Sequence, residues 1–501
     1  MMLAAEAAPL IKVGGLADVM GALPGALRER GHSPVLVIPH YGKVDDQRHK
    51  VTAGFTVNVP WGPWIETAHV AEATIGEVPV YLVSGGPLVR NQQVYGTTVE
   101  NDGPRFSFVA RAALLLAEML DFQPDILHIH DHHPGLAVYW LAIEGRKSPF
   151  WQQTASVVTV HNLPFQGNHA EKTLALMRLP PAGRESGLPW WARSSLMGLA
   201  LAYADKINAV SPGYAQEMLT EDYGAGLHTF LQTRRDKLSG ILNGLDYDLW
   251  NPATDTALPQ PFDVETLAMR AVNKQALQMA VNLPASDGPV LGVVSRLDHQ
   301  KGFDLVVPAL ESLLVQSEAQ VVVLGTGMPE IQAGFEQLMA NFPAQVAFVN
   351  QFDGKLARLI YAGSDMFLMP SRYEPCGTGQ MVALRYGSVP IVRATGGLRD
   401  TVIDVDIFPE SGVGFVFESF TAEALLQTIQ RALRLWKHPA RWQAVQRRGM
   451  ALRFSWARAA ASYNALYSQA LVALAKLQGR GGGASDEDEG DDSDGDATGD
   501  S

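Results

Sequence analysis

The stretch PVLGVVSRLDHQKGFDL occupies residues 289–305. Its first part, PVLGVVS, is apolar and β-branched without a charge, as a strand buried on both faces requires. A polar loop carrying Arg296 and Lys301 follows at once, and then the apolar pattern resumes. A buried strand that empties into a charged loop belongs to a parallel sheet covered by helices. Such sheets bind ligands beyond the carboxyl ends of their strands, so this loop is a candidate site.

The same unit recurs along the chain. In the first half, strands fit SPVLVIP (33–39), DILHIH (125–130), ASVVTVH (155–161) and KINAVS (206–211). In the second half they fit PVLGVVS (289–295), AQVVVLG (319–325), DMFLMP (365–370) and SVPIVRA (388–394). Helical patterns cover 17–31 and 104–120. The apolar opening MMLAAEAAPLI lacks a basic leader and reads as the first core strand, not a signal peptide. Alternation restarts past the loop 243–263, so the expected fold class is α/β. Two doubly wound, Rossmann-like domains would face each other across a cleft. A site drawn from both suits two substrates and closure around them.

Length and composition agree with this. At 501 residues the chain exceeds what one core holds, and 47% hydrophobic with 18% charged residues is ordinary for a globular protein. No apolar run reaches the roughly 18–20 residues that span a bilayer, so no membrane partner is expected. A single cysteine, Cys376, excludes an intramolecular disulfide and any multi-cysteine metal site. The net charge of −13 is concentrated at one end: residues 485–501 hold nine of the 52 acids and no base. That leaves 43 acids against 39 bases, no basic excess, and no case for nucleic-acid binding. A like-charged Gly/Ser-rich tail is expected to be disordered.

Six loop motifs carry chemistry. KVGGLADV (12–19) is a strand-to-helix turn whose adjacent glycines, Gly14 and Gly15, allow close backbone approach. The helix start would offer N–H groups to an anion and Lys12 a charge; the plain alternative is a tight turn with a surface lysine. In SRLDHQKGFDL, Arg296 and Lys301 together suit a diphosphate, or else form a solvated basic loop with Asp298 as a helix cap. RATGGLRDTV (393–402) places Thr395, Gly396 and Gly397 between strand and helix as a second candidate anion site. HIHDHHPG (128–135) resembles a metal cluster, yet alternate strand residues point to opposite faces and no second ligand group follows. A hydrogen-bonding role for Asp131 is therefore expected, and no metal. In VVTVHNLPFQG (157–167), His161 caps a buried strand.

PSRYEPCGTGQ (370–380) sets Glu374 two places before Cys376. Pro375 restricts Glu374 to extended geometry, and Gly377 and Gly379 leave the loop bare. The loop aims Glu374 at a ligand. A nucleophilic cysteine would need a histidine base and an oxyanion hole, and nothing nearby supplies them, so Cys376 is read as a packed thiol.

In this order, KVGGLADVMGALP, HIHDHHPG, VHNLPFQG, AVSPGYAQE, GILNGLDYDLWNP, SRLDHQKGFDL, LGTG, PSRYEPCG and GGLRDTV resemble the glycogen and starch synthase family of glycosyltransferases. RFSWARAAASYNALY is similar to that family's closing helix. The resemblance implies a glycosyltransferase-B architecture, with residues 1–245 as acceptor domain, 246–262 as linker and 263–450 as nucleotide-sugar domain. It implies a helix, 451–478, crossing back to the first domain, and a disordered tail, 479–501. It further implies transfer of glucose from ADP-glucose, in preference to UDP-glucose, to an α-1,4-glucan with retention, in the cytoplasm or a plastid stroma, without cofactor or metal. By the same resemblance, Lys12 and the Gly14–Gly15 turn would meet phosphates and donor glucose. Arg296 and Lys301 would hold the diphosphate, and His161 and Glu374 would flank the glucose. Asp131 and Asn243 would hold sugar or acceptor. Cys376, Gly377, Thr395, Gly396 and Gly397 would line the donor site, and Asp18 and Tyr95 would touch the acceptor.

The chain departs from the family's pattern at four places: His132 replaces a common Trp, Thr378-Gly379 a larger apolar residue and its neighbour, and Gly198 and Arg358 a lysine and a histidine. These bear on acceptor preference and rate. The rival readings are another nucleotide-sugar transferase of this fold, a glucan-binding scaffold without turnover, and a dinucleotide oxidoreductase. The last needs a full glycine fingerprint, which is missing.

Overall fold

Apolar runs with both faces shielded from water become the central strands of two sheets. The computed structural model describes residues 1–90, 93–96 and 99–481. The first sheet contains β1 (Met2–Leu3), β2 (Leu36–Pro39), β3 (Thr52–Trp61), β4 (Trp64–Ile75), β5 (Val78–Gly85), β6 (Ile126–His130), β7 (Ala155–Val160), β8 (Lys206–Ala209) and β9 (Leu238–Gly240). Their spatial order is β3-β4-β5-β2-β1-β6-β7-β8-β9. The second sheet contains β10 (Val290–Val294), β11 (Gln320–Leu324), β12 (Val346–Val349), β13 (Met366–Met369), β14 (Val389–Arg393) and β15 (Phe415–Phe417). Its order, β12-β11-β10-β13-β14-β15, is parallel throughout and is the doubly wound order 3-2-1-4-5-6.

All eight strands expected from apolar runs are present, trimmed by a residue or more. The opening strand is much shorter than expected, two residues pairing with β2 and β6. The antiparallel meander β3–β5 was not expected. Its outer strands show one face to water: in β3, Val57, Val59 and Trp61 are buried while Thr56 and Asn58 are exposed. Such alternation never forms the continuous apolar run that marks a strand covered on both sides.

The chain passes between the two sheets twice, side by side. Leu245 N–H donates to Phe454 O at 2.6 Å, and Phe454 N–H to the Tyr247 hydroxyl at 2.7 Å. The last helix, Trp456–Gly481, then packs on helix Gly15–Arg28 and on β7 and β8. Its Tyr467 meets His128 and its Tyr463 accepts from Asn208, both within the first sheet. The acidic tail beyond Gly481 lies outside the described residues; the three residues before that, expected to be disordered, end this helix. Among the described residues, no helix is long and apolar enough to cross a membrane.

Candidate active site

Neighbouring strands β10, β13 and β14 send their carboxyl-end loops to one place. The loop after β10 is a short 3-10 turn, His299–Lys301, capped by the Asp298 carboxylate, which accepts from Lys301 N–H at 3.1 Å. This cap aims Lys301 across to the β13 loop, where its Nζ lies 2.6 Å from Glu374 Oε2. Ser371 Oγ donates to the same oxygen at 2.9 Å. Main-chain contacts hold the two loops together, with Arg372 N–H donating to Gln300 O at 2.8 Å. Glu374 is buried and Lys301 mostly so, whereas Arg296 is open to water beside Asp298.

The glycine pair after β14 lies directly under this loop. A Cβ on Gly396 would collide with the Glu374 carbonyl oxygen, and one on Gly397 with that of Cys376. Gly397 N–H donates to Glu374 O at 3.1 Å, clamping the main chain that carries the carboxylate. Burial pushes the Cys376 thiol up to about 12, so almost no thiolate exists at neutral pH. Gln380 Nε2 donates to the Cys376 and Gly377 carbonyls, and the thiol itself is packed.

On the facing side, β6 and β7 end next to each other. Asp131 adopts φ +60°, and its Oδ1 accepts from His161 N–H at 2.7 Å and Asn162 N–H at 3.2 Å. Burial raises the Asp131 carboxyl to about 7, opposed by those two bonds. His161 is pushed down to about 3 by burial and is neutral at pH 7. Its Nε2 lies 2.9 Å from His130 Nδ1. Asn243 is buried with its Oδ1 lacking a partner among the described residues. Lys12 and Gly15 are exposed; Lys12 pairs with Asp18 at 2.6 Å.

Two expectations need correction. Gly14 N–H is not free for a ligand anion, because the buried Glu6 carboxylate takes it at 3.1 Å, with Val13 N–H and the Tyr95 hydroxyl at 2.5 and 2.8 Å. Similarly, the second anion site is filled from the other half of the chain. Glu217 accepts from Thr395 Oγ1 at 2.9 Å and from Gly396 N–H at 2.8 Å. A phosphate placed there would meet a carboxylate. Thr395, Gly396 and Gly397 therefore support Glu374 and join the two halves. Glu217 itself is shifted up, chiefly by burial.

The halves meet through that contact and its mirror. Asp400 accepts from Gly213 N–H at 2.7 Å, and Ser211 Oγ donates to Pro375 O at 2.6 Å. Tyr373, preceding Glu374, lies beside Asn162, which follows His161. Glu374 and His161 are thus each one residue from a contact across the seam.

Sequence reasoning missed Glu6, His130, Glu217, Ser371 and Asp400. A lone acid inside the apolar opening was the available signal for Glu6, and AVSPGYAQE already held Glu217. Three of the departures from pattern have defined neighbours. Arg358 bonds Asp255 at 2.8 Å and covers Trp250 in the linker. Gly198 packs on the Ala192 carbonyl, where a longer side chain has no room. His132 is half-buried, and its ring lies tilted against that of His133 with centroids 3.9 Å apart.

Two sequence profiles match successive parts of the chain: Starch synthase catalytic domain over residues 1–233, and Glycosyl transferases group 1 over residues 274–448. A glycogen synthase of Moorella thermoacetica is 40% identical over 479 residues, 94% of this chain and 96% of its own. One from Syntrophotalea carbinolica is 42% identical over 478 residues, with 94% and 98% covered. The solved catalytic domain of starch synthase IV from Arabidopsis thaliana, bound to ADP and acarbose, is similar with a TM-score of 0.85. Its identity is 32%, over 94% of this chain and 99% of that one. A sucrose-phosphate synthase from Thermosynechococcus elongatus shares the fold alone, with a TM-score of 0.60 at 20% identity. The expected glycosyltransferase-B type fold is borne out. At such identity over nearly its whole length, the chain belongs to the glycogen and starch synthase family of glycosyltransferases.

Proposed function

We propose that this enzyme transfers glucose from ADP-glucose to the 4-hydroxyl at the non-reducing end of an α-1,4-glucan, with retention. The observation that carries the reading is the buried Lys301–Glu374 pair, held at the seam that His161 approaches from the other half. The similar starch synthase IV, bound to ADP and acarbose, supports a nucleotide donor and a glucan acceptor here.

In this reading the bond from glucose C1 to the diphosphate oxygen breaks as negative charge grows on the leaving ADP. Lys301 has three donor hydrogens and spends one on Glu374, leaving two for phosphate oxygens. The exposed Arg296 guanidinium adds a planar fork of donors, and Lys12 with the Gly15 helix start a further positive edge. Preorganised charge of this kind needs no metal or cofactor. The acceptor 4-hydroxyl attacks C1 from the face that ADP leaves, and its proton passes to the departing phosphate oxygen. Glu374 Oε1 meets no protein donor among the described residues and serves a sugar hydroxyl. The unpartnered Asn243 Oδ1 does the same. Asp131 acts through the His161–Asn162 main chain, and Tyr95 and Asp18 stand on the acceptor side. Cys376 and Gly377 contribute main chain only. We propose the cytoplasm as the enzyme's compartment, with a plastid stroma as the alternative.

Transfer of radiolabel to glycogen, offered ADP-glucose and UDP-glucose separately, tests this. Faster transfer from ADP-glucose is expected. Faster transfer from UDP-glucose overturns the donor assignment, and no polymer label from either overturns the activity.

A further inference from the structure

His130 lies behind His161, buried, and the reaction as described does not use it. Its Nδ1 faces His161 Nε2 at 2.9 Å. Burial lowers both rings far below the ordinary imidazole range, so both are neutral and each carries a single N–H. One proton therefore lies between them, and the other His130 nitrogen decides which ring owns it. His130 Nε2 is buried and has no partner among the described residues. A buried N–H without an acceptor is rarer in folded proteins than a buried acceptor without a donor. The proton thus belongs on His130 Nδ1, which donates to His161 Nε2. His161 must then carry its own proton on Nδ1, the nitrogen that bonds no described residue.

We infer that His130 is a positioning residue that fixes His161 as the Nδ1–H tautomer, so that His161 presents a hydrogen-bond donor, not a proton acceptor, to the sugar in the cleft. The inference rests on the placement of His161 beside the donor sugar. It removes His161 as a general base, consistent with the acceptor proton leaving on the phosphate oxygen. The His130 ring is held from behind as well. His128 packs on it with ring centroids 4.2 Å apart, and is itself fixed by Tyr467 at Nδ1 and Thr159 at Nε2, each at 2.8 Å. The support for one ring at the site therefore begins on the last helix.

Two-bond nitrogen–proton correlation on enzyme labelled with 15N-histidine reads the tautomer directly, with His161→Gln to assign the signal. The expected spectrum has a pyrrole-type Nδ1 and a pyridine-type Nε2 on His161 at neutral pH. A pyrrole-type Nε2 overturns the inference. Two variants add a kinetic readout. His130→Asn keeps an N–H at the place of Nδ1 and should hold kcat within about tenfold. His130→Phe keeps the stacked ring without the donor and should lose about 10²-fold in kcat while His161 becomes a mixture of tautomers. Wild-type kcat in His130→Phe with an unchanged His161 signal also overturns it. Because the tautomer is read without turnover, a wild-type protein that transfers no glucose refutes the proposed function separately.

Discussion

The Lys301 ammonium and the Glu374 carboxylate meet at 2.6 Å, joining two loops that are 73 residues apart in the chain. The pair is buried, so each member neutralises the other, and removing one leaves an uncompensated charge.

Lys301→Ala should therefore cost stability as well as rate. An unpaired buried carboxylate costs about 3–5 kcal/mol, while loss of the donor charge lowers kcat by about 10²-fold or more. Adding Glu374→Gln to Lys301→Ala should recover part of the melting temperature and none of the kcat. Full stability in Lys301→Ala alone would mean that the pair is not buried in solution.

Glu374→Gln keeps the shape and removes the charge that holds Lys301. A fall in kcat of at least about 10²-fold is expected. Cys376→Ser, at a packed thiol pushed to about 12, should stay within about tenfold of wild type. Steady-state assays of both, checked for folding by melting temperature, separate the roles. An inactive Cys376→Ser beside an active Glu374→Gln would assign the chemistry to sulfur.

Glu217→Ala should loosen the seam. It leaves the Thr395 hydroxyl and Gly396 N–H without their acceptor, a loss of about 1–3 kcal/mol per buried group. A lower denaturation midpoint is expected, with kcat reduced through Gly397 and the Glu374 main chain. An unchanged midpoint would show that the contact contributes nothing to joining the halves.

The apolar runs that form β10 and β13 were legible because strands covered on both faces tolerate little else. The meander β3–β5 was not, since half of its side chains face water. Lys301 and Glu374 were each legible as loop residues after a strand. Their contact was not, because β10 and β13 are neighbours in the sheet but separated in the chain by β11 and β12. The Gly396–Gly397 turn looked like an anion site because its occupant, Glu217, comes from the other half, 179 residues away. His130 was hidden by its setting in HIHDHH, where only the pairing of β6 with β7 reveals that it faces His161.

Acid should destabilise the fold through the same histidines. Burial holds His128, His130, His132, His133 and His161 below their ordinary value, to about 4 for His132 and about 3 for His161. Unfolded, each binds a proton below about pH 6.5, so stability is full above that pH and is lost as pH falls. Asp131, raised to about 7, acts oppositely, gaining native stability as pH falls from 7 toward its unfolded value. Asp102, Glu217 and Asp400 share its direction through smaller shifts. Each fully engaged group changes stability by about 1.4 kcal/mol per pH unit, so five histidines outweigh Asp131. The melting temperature should fall between about pH 6.5 and 5, and less steeply in His132→Phe. A flat profile would contradict burial of these rings.

Glucosyl transfer to the non-reducing end of an α-1,4-glucan leaves each new glucose at a chain tip. Its most direct test is to extend glycogen briefly with labelled ADP-glucose and digest the product with β-amylase, which releases maltose from non-reducing α-1,4 ends. Release of the label as maltose, absent with Glu374→Gln, is the expected result. Label that resists the digestion, or that never enters the polymer, would contradict it.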